Sequence, residues 1–174
     1  MTACDEESYE VFKELFDPVN SARHGGYAPD AKQPTNLDTS QLSDTDIDPE
    51  GKYVLTTRVR TGRSVKGFQL PPTISFEDRR KLEALSVKAL LAMEGDLKGE
   101  YFPLHGSQSY ADKPTGMSEE KEEQLRKTGN LFQEPDSTLL LASGMGRHWP
   151  DGRGVFENIN KNLFVWVGEE DHLR

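Results

Sequence analysis

Between Asn20 and Glu50 the chain has little to bury. His24-Gly25-Gly26-Tyr27 reads as a turn, and Pro, Asp, Thr, Ser, Gln and Asn dominate the residues after it. Asp44, Asp46, Asp48 and Glu50 form a dense acidic run. It lacks the glycine and the terminal glutamate that a calcium loop sets at fixed spacing, so it reads as solvated chain. A stretch this poor in apolar residues does not offset the entropy of ordering it. The core must therefore lie on either side, and residues 20–50 are expected to link two bodies. The division is 1–19, 20–50 and 51–174.

Before the linker, Asp5 is placed to cap a helix running from Glu6 to Phe16, with Tyr9, Phe12 and Phe16 on one face. Asp17-Pro18 is expected to stop it. After the linker, residues 52–60 read as a strand. Side chains on a strand alternate faces, so Tyr53, Leu55, Thr57 and Val59 point one way. Val54, Thr56, Arg58 and Arg60 point the other, and Arg63 comes just beyond Gly62. A guanidinium is a rigid fork of donors that matches phosphate oxygens. An anion site and an exposed strand paired with surface acids are both open at this point.

Further along, Ser75 with Asp78 signals a helix start. Leu82, Leu85, Ala89 and Met93 are the expected buried face, with Gly95 as the end. Lys98–Leu104 reads as a short strand and 105–117 as a surface loop. Ser118 opens an acidic helix, its first turns loaded with glutamates that suit the helix dipole, and Gly129 is its expected cap. Thr138–Ala142 reads as a buried strand. A turn-rich stretch, 143–154, then leads to hairpin arms at Val155–Glu157 and Leu163–Val167.

The whole has 174 residues, a net charge of −9 and 34% hydrophobic content. The negative balance argues against nucleic acid and anionic membrane as main partners. An apolar run such as Leu163–Val167 is far too short to span a bilayer. The acidic start, Met1 to Glu7, has no apolar region of the secretory kind. One cysteine, Cys4, and four histidines show no metal-ligand spacing. A single cysteine and no signal favour a reducing, cytoplasmic setting.

The chain closes on Glu169-Glu170-Asp171-His172-Leu173-Arg174. Carboxylates there are suited to orienting a protonated guanidinium and accepting a proton from it. A nearby arginine is suited to stabilising transferred phosphoryl oxygens. A frayed, solvated polar tail is the competing reading.

Three segments carry a family resemblance. The first is Asp5 to Pro18 with His24-Gly25-Gly26-Tyr27. The second is Tyr53 to Arg63. The third runs from Leu139 to Met145 through Arg147, Trp149-Pro150-Asp151 and Arg153-Gly154 to Phe164–Val167 and Glu169–Arg174. In order and spacing they resemble the phosphagen kinases, and within them the creatine kinases, which the first segment favours over arginine kinases. The match is too dense for an unrelated acidic α+β domain.

The resemblance implies an α+β fold: a partial antiparallel sheet flanked by helices, of the glutamine-synthetase-like kind found in guanidino kinase catalytic domains. It makes 1–19 the last helix of a small N-terminal helical domain and 51–174 the first part of the catalytic domain. It implies reversible phosphoryl transfer from ATP to a guanidino acceptor, creatine first, for cellular energy buffering. Thr56, Thr57, Arg58, Val59 and Arg60 fall where the family binds nucleotide phosphates, and Arg174 on a further phosphate arginine. Glu170, with Glu169 beside it, falls on the acid that holds the guanidino nitrogen. Magnesium is implied as the ion carried by ATP or ADP, without a protein metal site.

The resemblance also leaves room for a homodimer and for a cytoskeletal or ciliary assembly, with cilium or flagellum as the alternative location. There are departures. The resembled subunit is longer, and this chain looks like its middle part. The substrate-size loop, a reactive cysteine and further phosphate arginines lie outside it, so the stretch alone is expected to be inactive. Gly129 stands where family members carry a histidine near the nucleotide. The loop 105–117 is longer than the family's. A kinase-like binding or structural module without activity is the second reading.

Overall fold

Three antiparallel strands carry the core, in the order β1 (Gly99–Pro103), β2 (Gly154–Asn158), β3 (Phe164–Val167). The structure, a computed structural model, describes residues 1–174. Register places Tyr101, Phe156 and Val165 in one row across the sheet, and Phe102, Val155 and Trp166 in the next. Neighbouring rows face opposite sides. The first row packs with Val87 and Leu90, and the second with Leu104, Met117, Leu125 and Phe132. Every residue of β2 is buried because it is the central strand, covered on both faces. The expected α+β architecture, a small antiparallel sheet with helices against it, is what the chain adopts.

Helix α3 (Phe76–Leu91) supplies one cover. Ser75 caps it as expected, accepting from the Asp78 N–H at 3.0 Å. Its buried face differs from the expected one. It comprises Arg79, Leu82, Glu83, Ser86, Val87 and Leu90, while Leu85 and Ala89 are exposed. Polar side chains disguise the stripe, and each of the charged ones finds a partner. Arg79 donates to the Pro71 carbonyl at 3.0 Å, and Glu83 accepts from the Tyr101 hydroxyl at 2.7 Å. The helix ends at Leu91, ahead of Gly95, which instead opens a short 3-10 turn.

Helix α4 (Glu119–Lys127) covers the other side through Leu125. Ser118 caps its start, and Gly129, at φ +69, sits in the left-handed conformation just past its end. The loop 105–117 has no regular element but is not merely superficial. Ser107 and Met117 are buried, and the Gln108 N–H donates to Asp151 at 2.9 Å.

Chain contacts separate two compact units, Met1–Val11 with Thr61–Arg174, and Phe12–Arg60. Helix α1 (Ser8–Val11) belongs to the first. Asp5 caps it, accepting from the Ser8 N–H at 2.9 Å. The single helix expected over 6–16 is broken at Phe12, and nothing local in the sequence marks the break. Helix α2 (Lys13–Arg23), in the second unit, runs through Pro18. The missing N–H and the ring's clash cost a helix about 3 kcal/mol, yet α2 continues to Arg23, with Gly25 and Gly26 just past its end at φ +66 and +89. There the Gly26 N–H closes on Ser21 O at 2.8 Å.

Two expected strands are absent. Residues 52–60 form no strand, and Leu55 and Val59 are 89% and 92% exposed. Thr56, Arg58 and Arg60 therefore share no sheet face. The acidic run explains part of this. Asp48 accepts from both the Tyr53 and Val54 N–H groups, at 2.6 and 2.8 Å. A side chain that takes these donors competes with a strand ladder for them. Thr138–Ser143 is a helix, α5, with Leu139 and Leu141 exposed. Leucine and alanine are good helix formers. Ser137 caps the start and Gly144, at φ +86, caps the end. The run contains no Val or Ile that would have favoured a strand.

Candidate active site

Strand β3 leads into Gly168, at φ +73, where a Cβ would lie 2.5 Å from the Gly152 carbonyl. A glycine is required there both for the backbone conformation and for the close approach. The chain then folds back on β3. Trp166 and Arg174 exchange both backbone hydrogen bonds, at 2.7 and 2.9 Å, and the Gly168 N–H donates to His172 O at 3.0 Å. On its other side the strip pairs with Arg63 through Leu173. The residues after β3 are thus a packed structural element; the alternative of a frayed tail does not hold.

This turn gathers charge. Arg174 Nη1 lies 2.8 Å from Glu169 Oε2, Nη2 3.3 Å from Glu170 Oε2, and Nε 3.0 Å from Asp171 Oδ2. The approach to Glu169 Oε2 is an ion pair whose geometry falls short of a hydrogen bond. The Glu169 side chain is only 14% exposed, against 42% for Glu170. Burial raises the Glu169 carboxyl above its usual range, outweighing the Glu170 backbone N–H and Arg174, which lower it. Burial works against the Arg174 charge too. There Glu169, Asp171 and Glu170 prevail and hold the guanidinium above its ordinary value.

Glu169 and Glu170 open onto a cavity of about 160 Å³, whose walls include Leu140, Met145, Trp149 and Arg153. Helix α5 brings Leu140, so the segment expected as a strand is a wall of the site. Trp149 stands edge-on to Phe132 at 5.9 Å, and Phe132 packs against Trp166 at 5.5 Å. Arg153 is fully buried and donates to the Met145 and Arg147 carbonyls at 3.0 and 2.9 Å. Burial, with Arg79 nearby, presses its pKa down to about 9, which still leaves it charged at neutral pH. Asp151 braces this wall. It takes an ion pair from Arg80 and hydrogen bonds from the Gln108 N–H and Ser107 hydroxyl.

Two carboxylates at the mouth of a small cavity are arranged to hold a planar cation, and either accepts a proton released there. Of the expected site residues, the fold brings Glu169, Glu170 and Arg174 together. Thr56, Thr57, Arg58, Val59 and Arg60 belong to the other unit, in an exposed segment without regular secondary structure. Trp149, Arg153 and Met145 are not among the expected site residues. Their signal is the turn-rich stretch between α5 and β2, which carries two arginines and a tryptophan. No His, Cys, Asp and Glu side chains cluster in threes able to hold a metal ion.

Comparison with known proteins gives a consistent set of relatives. The family model described as ATP:guanido phosphotransferase, C-terminal catalytic domain, matches residues 81–174. The chain is 54% identical to creatine kinase M-type of Gallus gallus over 99% of its length, covering 42% of that protein. It is 50% identical to a flagellar creatine kinase of Strongylocentrotus purpuratus over 100% of its length, covering 14% of that protein. The crystal structure of lombricine kinase superposes with a TM-score of 0.84 at 42% identity, over 98% of this chain and 44% of that one. The chain thus spans less than half the length of these relatives.

Proposed function

The chain belongs to the ATP:guanido phosphotransferase family, and from that premise we propose that its protein moves a phosphoryl group reversibly between ATP and creatine, buffering cellular energy. The observation that carries this is the pair Glu169 and Glu170 at the mouth of one cavity with Arg174 beside them. Glu170, the more exposed of the two, orients the guanidinium group and takes the proton its nitrogen loses. The nitrogen forms a bond to the γ-phosphorus as the bond to the β-phosphate oxygen breaks. Arg174 and the segment Thr56, Thr57, Arg58, Val59 and Arg60 serve the phosphates. Such transfers pass through a loose transition state, so positioning and electrostatics carry most of the rate.

Creatine is favoured over other guanidino acceptors because relatives at about half identity are named creatine kinases. Magnesium would arrive with the nucleotide phosphates, since the residues present offer no protein cage for it. In this reading residues 1–19 end a small helical domain, 20–50 link, and 51–174 begin the catalytic domain. The setting is cytoplasmic, with a cilium or flagellum as the alternative that one relative's name supports. Activity belongs to the whole protein, with a homodimer as its expected form.

A second reading has its own support. Arg174 is neutralised by three carboxylates, and Gly129 occupies the end of α4. Both fit a kinase-like module that binds without turnover. ATP formation from ADP and phosphocreatine, measured on the full-length protein, decides between them. Turnover that requires phosphocreatine supports transfer. No turnover with it or with other phosphorylated guanidines supports the module.

A further inference from the structure

His172 sits between the acids and Arg174, yet its side chain points elsewhere. It is fully buried. The Val65 N–H donates to Nδ1 at 2.9 Å, and Nε2 lies 2.9 Å from the Gln69 carbonyl. An amide N–H must meet an acceptor and a carbonyl must meet a donor, so the ring is neutral with its proton on Nε2. The Phe68 ring stands edge-on at 6.4 Å. One imidazole thus bridges two backbone groups of the 65–69 segment, just beyond the Arg63–Leu173 pair. Volume filling alone would not use both nitrogens.

We propose that His172 is a positioning residue, a latch that sets the Glu170–Arg174 strip against the 63–69 segment and thereby aims Glu170 into its cavity. The proposal rests on the phosphotransfer reading of that cavity. His172 is not among the residues that line the cavity. It acts through the backbone of the strip, two residues from Glu170 and two from Arg174. A misplacement of about 1 Å at a reacting group costs on the order of 10²-fold in rate.

The latch also has a proton dependence. Protonation of Nδ1 would set it against the Val65 N–H, two donors facing each other. Burial lowers the ring's pKa most, the Gln69 carbonyl raises it, the Arg79 guanidinium lowers it and Asp171 raises it, with a net fall below the usual histidine value. The neutral latch is therefore fully present above about pH 6.5 and is lost as pH falls through the lower folded value.

The test uses the full-length protein with His172→Phe, His172→Asn and His172→Gln beside Glu170→Gln. Asparagine keeps an acceptor near the Nδ1 position, glutamine a donor near Nε2, and phenylalanine keeps only volume. The expected results are a kcat loss of about 10–10²-fold for His172→Phe, partial recovery in the two amides, and faster amide exchange at Val65 and Arg63 in His172→Phe. The acid limb of the kcat profile that tracks His172 should disappear in His172→Asn. Wild-type kcat in His172→Phe, with Glu170→Gln impaired, overturns the latch alone. Wild-type kcat in Glu170→Gln overturns the reading of the cavity. If the wild type itself shows no turnover, that reading falls and amide exchange decides the latch: unchanged protection at Val65 in His172→Phe overturns it.

Discussion

Arg63 and Leu173 exchange both of their backbone hydrogen bonds, at 2.8 and 3.0 Å. A contact between residues so far apart in sequence is costly to close, and it is made where the acids and Arg174 turn back on β3. It lays Thr61–Arg63 alongside the charged strip. The Arg63 guanidinium folds onto its own stretch, donating to Thr61 Oγ1 at 2.7 Å and to the Gly62 carbonyl at 2.6 Å.

That closeness makes Gly62 sensitive. A Cβ there would lie 2.6 Å from Asp171 Oδ2, inside contact distance of the carboxylate that accepts from Arg174 Nε. Gly62→Ala should push Asp171 off Arg174 and destabilise the protein by up to about 1 kcal/mol, the worth of a largely exposed ion pair. Denaturant unfolding at constant m-value reads the change. A midpoint equal to wild type would show that Asp171 yields freely.

Arg174 should matter to the nucleotide. Arg174→Ala removes the cation shared by Glu169, Glu170 and Asp171, leaving the partly buried Glu169 without its counter-ion. The expected result is a raised nucleotide KM and a kcat loss of about 10²–10³-fold, the range for one lost transition-state donor. Arg174→Lys should recover little, since an ammonium lacks the planar fork. Unchanged nucleotide KM and kcat in Arg174→Ala would reduce Arg174 to a counter-ion for the three acids.

Glu83 gives a pH-dependent stability test away from the site. It is fully buried, and burial raises its carboxyl pKa above the usual range, against the lowering effects of Ser109 and the Tyr101 hydroxyl. A folded pKa above the unfolded one contributes stability below the unfolded value, and that contribution is lost as pH rises through the folded value. Glu83→Gln keeps an oxygen for the Tyr101 hydroxyl and removes the buried charge. Its Tm should exceed wild type at pH 7, with the advantage gone near pH 4. A lower Tm at pH 7 would mean that the charge itself, with Arg80 nearby, holds the fold together.

Much of the frame is legible in the sequence because it rests on local rules. Ser75 and Ser118 cap the helices that their spacing announces, Gly129 adopts the left-handed cap, and the hairpin of β2 and β3 forms from its apolar arms. The errors fall where tertiary context or competing local chemistry decides. Arg79, Glu83 and Ser86 sit on the buried stripe of α3, so hydrophobicity points to the wrong face. Asp48 takes backbone donors from the segment whose alternation suggests a strand. Three leucines in a row suggest buried β, but Ser137 and Gly144 bracket a helical turn and a half of good helix formers. At the site, Glu169, Glu170 and Arg174 are recognisable as a cluster in sequence. The walls Leu140, Trp149 and Arg153 are not, because it takes the fold to bring α5 and the turns after it beside the strip.

The most direct test is steady-state kinetics of Glu170→Gln in the full-length protein, in both directions, with ATP and creatine and with ADP and phosphocreatine. The substitution keeps the size of a side chain that lines the cavity and removes the charge that would hold a guanidinium and take its proton. A kcat loss of about 10²–10⁴-fold, the range for a positioned acid–base group, is expected. Retention of near wild-type kcat would contradict the role of Glu170 and with it the assignment of the cavity as the place of phosphoryl transfer.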